Sequence, residues 1–167
     1  MKNARLLIGV DDSDASRRSI SYVADMIGAR DDFHIVLFHV LPPIPPELLE
    51  FGGAEDPITE QKLDEALKHQ QAQWVEHTKK EAEPIVAHAR TILHRTGISP
   101  EATSTVFSPS IHRPDVVREL IETARAQNCG TIVVGRETYS TFKEIFHHHV
   151  SEELIRQAHG IAIWVIA

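Results

Sequence analysis

Three carboxylates, Asp11, Asp12 and Asp14, follow directly on the apolar run Leu6-Leu7-Ile8-Gly9-Val10. Acids so placed can accept the unpaired N–H groups of a helix start, meet a ligand beyond a strand end, or gather a divalent ion. Asp11 sits at the carboxyl end of the run, where open α/β sheets hold ligands, and is assigned a binding role. Asp12 and Asp14 divide between that role and turn or capping duty. A second group is His147-His148-His149. Imidazoles ligate zinc or nickel, but neighbouring side chains diverge unless the backbone is extended, and no carboxylate or cysteine completes a zinc spacing here. Protonated near neutral pH, they would instead hold an anion. Gly135, ending the run Thr131-Ile132-Val133-Val134, is followed by Arg136, whose planar guanidinium suits phosphate. A metal-responsive module using the triple histidine is one alternative these residues leave open.

Other reactive residue types have plainer roles. Cys129 is the one cysteine, so it forms no intrachain disulfide and, beside Gly130, is a small packed residue. His34 and His39 lie five apart in a strand-like run and face opposite sides, which denies them a shared site. Trp74 fits a helical core stripe. Trp164, near a sheet edge, is either buried or an exposed contact for a partner. No serine with a matched base and no paired carboxylates stand out, so the pattern points to a binding or signalling module rather than a dedicated enzyme.

These residues need elements to hold them. Leu6–Val10 reads as a buried strand, and Ala15 to about Ile27 as a helix on the spacing of Ile20, Val23, Ala24 and Ile27, with Gly28 as its stop. His34–Val40 is the second strand, ended by the proline-rich loop 42–46. From Pro57 to Thr96 the chain is helix-forming. Leu63, Leu67, Gln70 and Trp74 make one stripe and Ile85, Ala89 and Ile92 another, and Pro84 should kink or split the helix. Gly97 closes it, and Ala102–Phe107 is a third strand. Pro114 should open a helix carrying Val117, Leu120, Ile121 and Ala124 and ending near Asn128. Thr131–Val134 is a fourth strand, Ser151–Ala158 a short helix and Ile161–Ile166 a final strand. Alternating strands and helices predict one α/β domain over residues 1–167, with a parallel sheet, right-handed crossovers and helices on both faces. Ligands of such sheets lie beyond the strand ends where strand order reverses. The Asp11 and Gly135 loops border one crevice there if the first and fourth strands are neighbours.

Composition narrows the partners. Hydrophobic residues are 42% and charged residues 25%, as in an ordinary globular protein. A net charge of −7, without a dense Lys/Arg stripe, offers no electrostatic footprint for nucleic acid or an anionic membrane. Lys2–Val10 lacks the pattern of a signal peptide, and no apolar run approaches the roughly 20 residues of a membrane span. A cytoplasmic location is the expectation.

Leu7-Ile8-Gly9-Val10-Asp11-Asp12-Ser13, His39-Val40, Thr131-Ile132-Val133-Val134-Gly135, Lys143-Glu144-Ile145 and Val150-Ser151-Glu152 occur in an order and spacing that resembles the universal stress protein family over nearly the whole chain. The resemblance implies a Rossmann-like, three-layer sandwich whose five parallel strands run in the order 3-2-1-4-5. It also implies an adenine-nucleotide site. In nucleotide-binding members the fourth strand leads into glycine, two residues, glycine, nine residues, then glycine with serine or threonine. Such glycines bring N–H groups up to phosphate oxygens, and the following helix adds its dipole. On this chain those positions are Gly135, Thr138, His148 and His149, so three of the four have changed. A positive φ kept at Thr138 or His148 would cost about 1–2 kcal/mol, and the side chains would enter the phosphate space.

The nucleoside side is implied to be retained, with Asp11 toward sugar or base and Val40 and the Val134–Gly135 strand end beside it. Arg136 and Ser151 remain as phosphate donors. The resemblance thus implies a stress-response binding or signalling module with ATP or AMP as its ligand class and tight ATP binding weakened or lost. The alternative is ATP or AMP binding through Asp11, Val40, Gly135 and Ser151, with slow or no hydrolysis. The resemblance further implies a homodimer paired antiparallel through the last strand, around Ile161, Ile163 and Val165.

Overall fold

The computed structural model describes residues 4–49, 53–108, 115–139 and 149–167. Strand β1 (Ala4–Val10) leads to helix α1 (Asp14–Ile27), and β2 (Phe33–Val40) to the long α2 (Pro57–Arg95). Then come β3 (Thr103–Ser108), α3 (Val116–Ala126), β4 (Thr131–Gly135), α4 (Val150–Gln157) and β5 (Ala162–Ile166). The five strands form one sheet in the order β3-β2-β1-β4-β5, every neighbouring pair parallel. Central β1 pairs Ile8 with Leu37 on one side and with Val133 on the other. The chain thus proceeds outward from β1 to β3, then crosses back to place β4 on the free side of β1. That reversal sets the loop after β1 beside the loop after β4.

Strand alternation sends Leu7, Val36, Phe38, Ile132 and Val134 to the layer of α3 and α4, and Leu6, Ile8, Ile35, Leu37 and Val133 to the layer of α1 and α2. Both faces are covered, which explains why these strands are near-continuous apolar runs. Helix α1 buries Ile20, Val23, Ala24 and Ile27, as its spacing predicts, and Gly28 ends it at φ 57°. Its cap is Ser13, not Asp12 or Asp14: the Ser13 hydroxyl accepts from Ser16 N–H at 3.1 Å.

Two expectations need correction. Pro84 does not split α2, which runs unbroken for 39 residues; the buried side chains Ala82, Val86, Ala89 and Leu93 anchor it on the sheet around the proline. The Leu63–Trp74 stripe is not core, because Leu63 is 40% exposed and no residue of α2 before Thr78 is buried. Helix α3 begins at Val116 with Asp115 as its cap, accepting from Arg118 N–H at 3.0 Å, and Pro114 lies outside the described residues. His34 and His39 do point to opposite faces; His34 meets the Ser104 hydroxyl at 3.0 Å. Cys129 is buried, and burial pushes its thiol pKa up. Trp164 is half-buried against the α1 and α2 layer. Among the described residues no helix is long and apolar enough to cross a membrane.

Candidate functional site

β1 delivers Asp11 to the crevice as the first residue past the strand, and the turn into α1 fixes its carboxylate. One oxygen accepts from the Ser13 N–H at 3.0 Å and from the Ser13 hydroxyl; the other accepts from the Tyr139 N–H at 2.7 Å. The Asp11 N–H donates to the Ser16 hydroxyl at 3.1 Å. Asp11 therefore ties the β1 loop to the β4 loop with its own carboxylate. Asp12 and Asp14 stand outside this contact, paired with Arg17 at 3.0 and 2.8 Å on the surface, and the Arg17 guanidinium holds the Asp14 carboxyl below its ordinary range.

β4 ends at Gly135 against the first turn of α1, so closely that a Cβ there would lie 2.4 Å from the Ala15 carbonyl oxygen. The Gly135 N–H donates to the Thr138 hydroxyl at 3.0 Å and the Thr138 N–H to the Gly135 carbonyl at 3.1 Å. The Arg136 N–H donates to the Ile166 carbonyl at 2.8 Å, and that of Tyr139 to Asp11. Four of the five amides from 135 to 139 thus bond to the chain itself. An anion at this turn would compete with each of those bonds. Thr138 does not take positive φ; it is buried and turns its hydroxyl inward. The left-handed conformation falls one residue later, on Tyr139 at φ 64°.

Sequence reasoning stopped short of Tyr139. Its ring is buried, and its hydroxyl accepts from the Val10 N–H at 3.0 Å while donating to the Phe38 carbonyl at 2.7 Å. It bridges the carboxyl ends of β1 and β2 from a loop belonging to β4. Burial first, and the Asp11 charge second, push the phenol pKa well above its usual value, so it remains a donor. The ring lies against Gly9, where an added Cβ would sit 3.0 Å from a ring carbon. A lone glycine inside an apolar strand is the sequence sign of such an approach, and Gly9 carried it. The hydrogen bonds of Tyr139 offset a left-handed backbone that costs a non-glycine residue roughly 1–2 kcal/mol.

The remaining predicted residues are placed as follows. Val40 and Val134 are buried in the α3–α4 layer, Val134 3.2 Å from the would-be Cβ of Gly9. Arg136 is exposed. Ser151 is buried at the start of α4 and donates to the Arg136 carbonyl at 3.3 Å. His149 is the cap residue of α4 without a side-chain capping bond; its carbonyl accepts from the amides of Glu152 and Glu153. His147 and His148 lie outside the described residues, and among those described no three His, Cys, Asp or Glu side chains gather to hold a metal. Behind the site the His39 imidazole donates to the Val10 carbonyl at 2.9 Å, and burial lowers its pKa. A cleft of about 330 Å³ also adjoins Asp11, bounded by Asp12, Arg17 and the α2 residues Pro84, Ile85 and His88.

The same architecture recurs in solved structures. A universal stress protein family member from Burkholderia pseudomallei is 17% identical, with a TM-score of 0.60 over 99% of this chain and 96% of its own. A universal stress protein in complex with cAMP is 14% identical, with a TM-score of 0.59 over 100% and 98% of the two chains. One from Archaeoglobus fulgidus in complex with dAMP is 15% identical, with a TM-score of 0.59 over the full length of both. These likenesses show the fold. No curated protein matches the chain. The sequence model of the universal stress protein family matches residues 2–160, and the chain belongs to that family.

Proposed function

We propose that this chain is a stress-response binding or signalling module that engages the nucleoside end of an adenine nucleotide, AMP or ATP, without a working grip on its phosphates. The observation that carries the reading is the closed hydrogen bonding of the β4 loop: the amides of Gly135, Arg136, Thr138 and Tyr139 all have partners within the chain. Thr138 stands where nucleotide-binding relatives are implied to carry glycine, and its hydroxyl holds the Gly135 amide. The Ser151 hydroxyl is likewise engaged, on Arg136. Structural neighbours in complex with cAMP and dAMP support adenine nucleotides as the ligand class. The module acts in the cytoplasm as a homodimer joined by antiparallel pairing of β5, an edge strand whose Ala162 and Val165 are exposed. Titration calorimetry with adenosine, AMP and ATP, with and without magnesium, tests the reading. ATP should bind no more than about threefold tighter than adenosine, since phosphates that meet no free donors add little affinity. ATP binding more than about tenfold tighter than adenosine overturns it.

A further inference from the structure

Tyr139 holds the position a ligand would be expected to hold. It fills the end of the crevice where β1, β2 and β4 converge, with one edge of the ring and its hydroxyl against Gly9 and backbone polar groups fixed around that hydroxyl. The ring lies against Gly9, and its hydroxyl satisfies one backbone donor, Val10 N–H, and one backbone acceptor, Phe38 C=O. The residue's amide is held by the Asp11 carboxylate, the group assigned to the sugar or base. Val134 lines the same floor.

Without the ring, the slot would present an N–H donor, a C=O acceptor and a carboxylate beside Gly9 and the apolar side chain of Val134. An adenine edge offers the complementary acceptor and donor on one side, and a ribose hydroxyl is a natural donor to a carboxylate. The ring is also carried on a left-handed backbone, φ 64°, whose cost of roughly 1–2 kcal/mol the closed arrangement bears and an open one releases. We propose that Tyr139 is an intramolecular occupant of the nucleoside slot, so that the phenol ring and an adenine nucleoside compete for the same place and the resting protein is self-closed. This rests on the nucleoside-end reading above and adds to it the residue that controls access.

Apparent affinity in such a site is the intrinsic affinity multiplied by the open fraction, so weakening the occupant tightens binding without any new contact to the nucleoside. Tyr139→Gly removes the ring and relieves the left-handed backbone; Tyr139→Phe keeps the ring but deletes the bonds to Val10 and Phe38. With adenosine in calorimetry, and folding checked by thermal melts, Tyr139→Gly should bind at least about tenfold tighter than the unaltered chain. Tyr139→Phe should bind about threefold to fivefold tighter, in keeping with the modest net worth of buried hydrogen bonds. Equal adenosine affinity in the unaltered chain and a folded Tyr139→Gly overturns the inference and leaves the nucleoside-end reading standing. Absence of adenosine binding in both overturns inference and reading together. Should Tyr139→Gly not fold, unchanged affinity in Tyr139→Phe overturns the inference.

Discussion

At the scale of single residues, the site depends on close approaches that only particular side chains permit. Gly135→Ala would drive a Cβ to 2.4 Å from the Ala15 carbonyl oxygen and 2.6 Å from its carbon, both backbone atoms that cannot rotate away. Chemical denaturation should show a loss of about 2 kcal/mol or more, as overpacking against fixed atoms produces. Gly130→Ala, with nothing within 4 Å of the added carbon, is the control and should stay within about 0.5 kcal/mol. His39 gives a pH signature. Burial lowers its folded pKa below the 6.5 of the free side chain, so the unfolded chain binds the extra proton more readily. Its contribution is full above about pH 6.5 and is lost as pH falls toward the lowered folded value. Thermal melts from pH 7.5 to 5 should show that decline, and it should be shallower in His39→Gln, whose amide can still donate to Val10. The place of Asp11 was legible in the sequence because the apolar run before it marks where β1 stops. Tyr139 was not, because nothing along the chain says that a turn residue folds back 128 positions to meet it.

At the scale of elements, apolar runs located β1, β2 and β4 to within a residue or two, since strands buried on both faces leave an unmistakable composition, whereas the partly buried edge strand β3 was legible from its threonines and valine. Helix α2 shows the limit of that reasoning. Periodicity reports that one side of a helix is more apolar than the other, not whether anything packs on it. The spacing of Leu63, Leu67 and Trp74 is sound, yet none of the three is buried, and burial on α2 begins only at Thr78. Pro84 illustrates a local preference overridden by packing. An exposed proline inside a continuous helix removes one backbone hydrogen bond, and its neighbours Ala82 and Val86 hold the helix regardless. Pro84→Ala restores that donor and should raise stability by about 1–3 kcal/mol, read as a higher thermal midpoint.

At the scale of the whole molecule, strand order does most to create the site, by bringing β1 and β4 together where the topology reverses. The same order leaves β5 at one edge of the sheet. If two copies pair there, as proposed, Val165→Lys puts like charges near one another across the two-fold axis, on an edge that lysine already disfavours for pairing. Light scattering after size exclusion should then report monomer where the unaltered chain gives dimer, with the far-ultraviolet dichroism unchanged.

The 128-residue span between Asp11 and Tyr139 also bears on how the protein is made. As the chain leaves the ribosome, β1, β2 and β3 can assemble early, while the other edge of β1 waits for β4. Contacts so distant along the chain form slowly, and an unpaired central strand is an aggregation hazard during the wait. The crevice is therefore completed late in biogenesis, and a tyrosine that seals it as it closes would also shield the youngest part of the sheet.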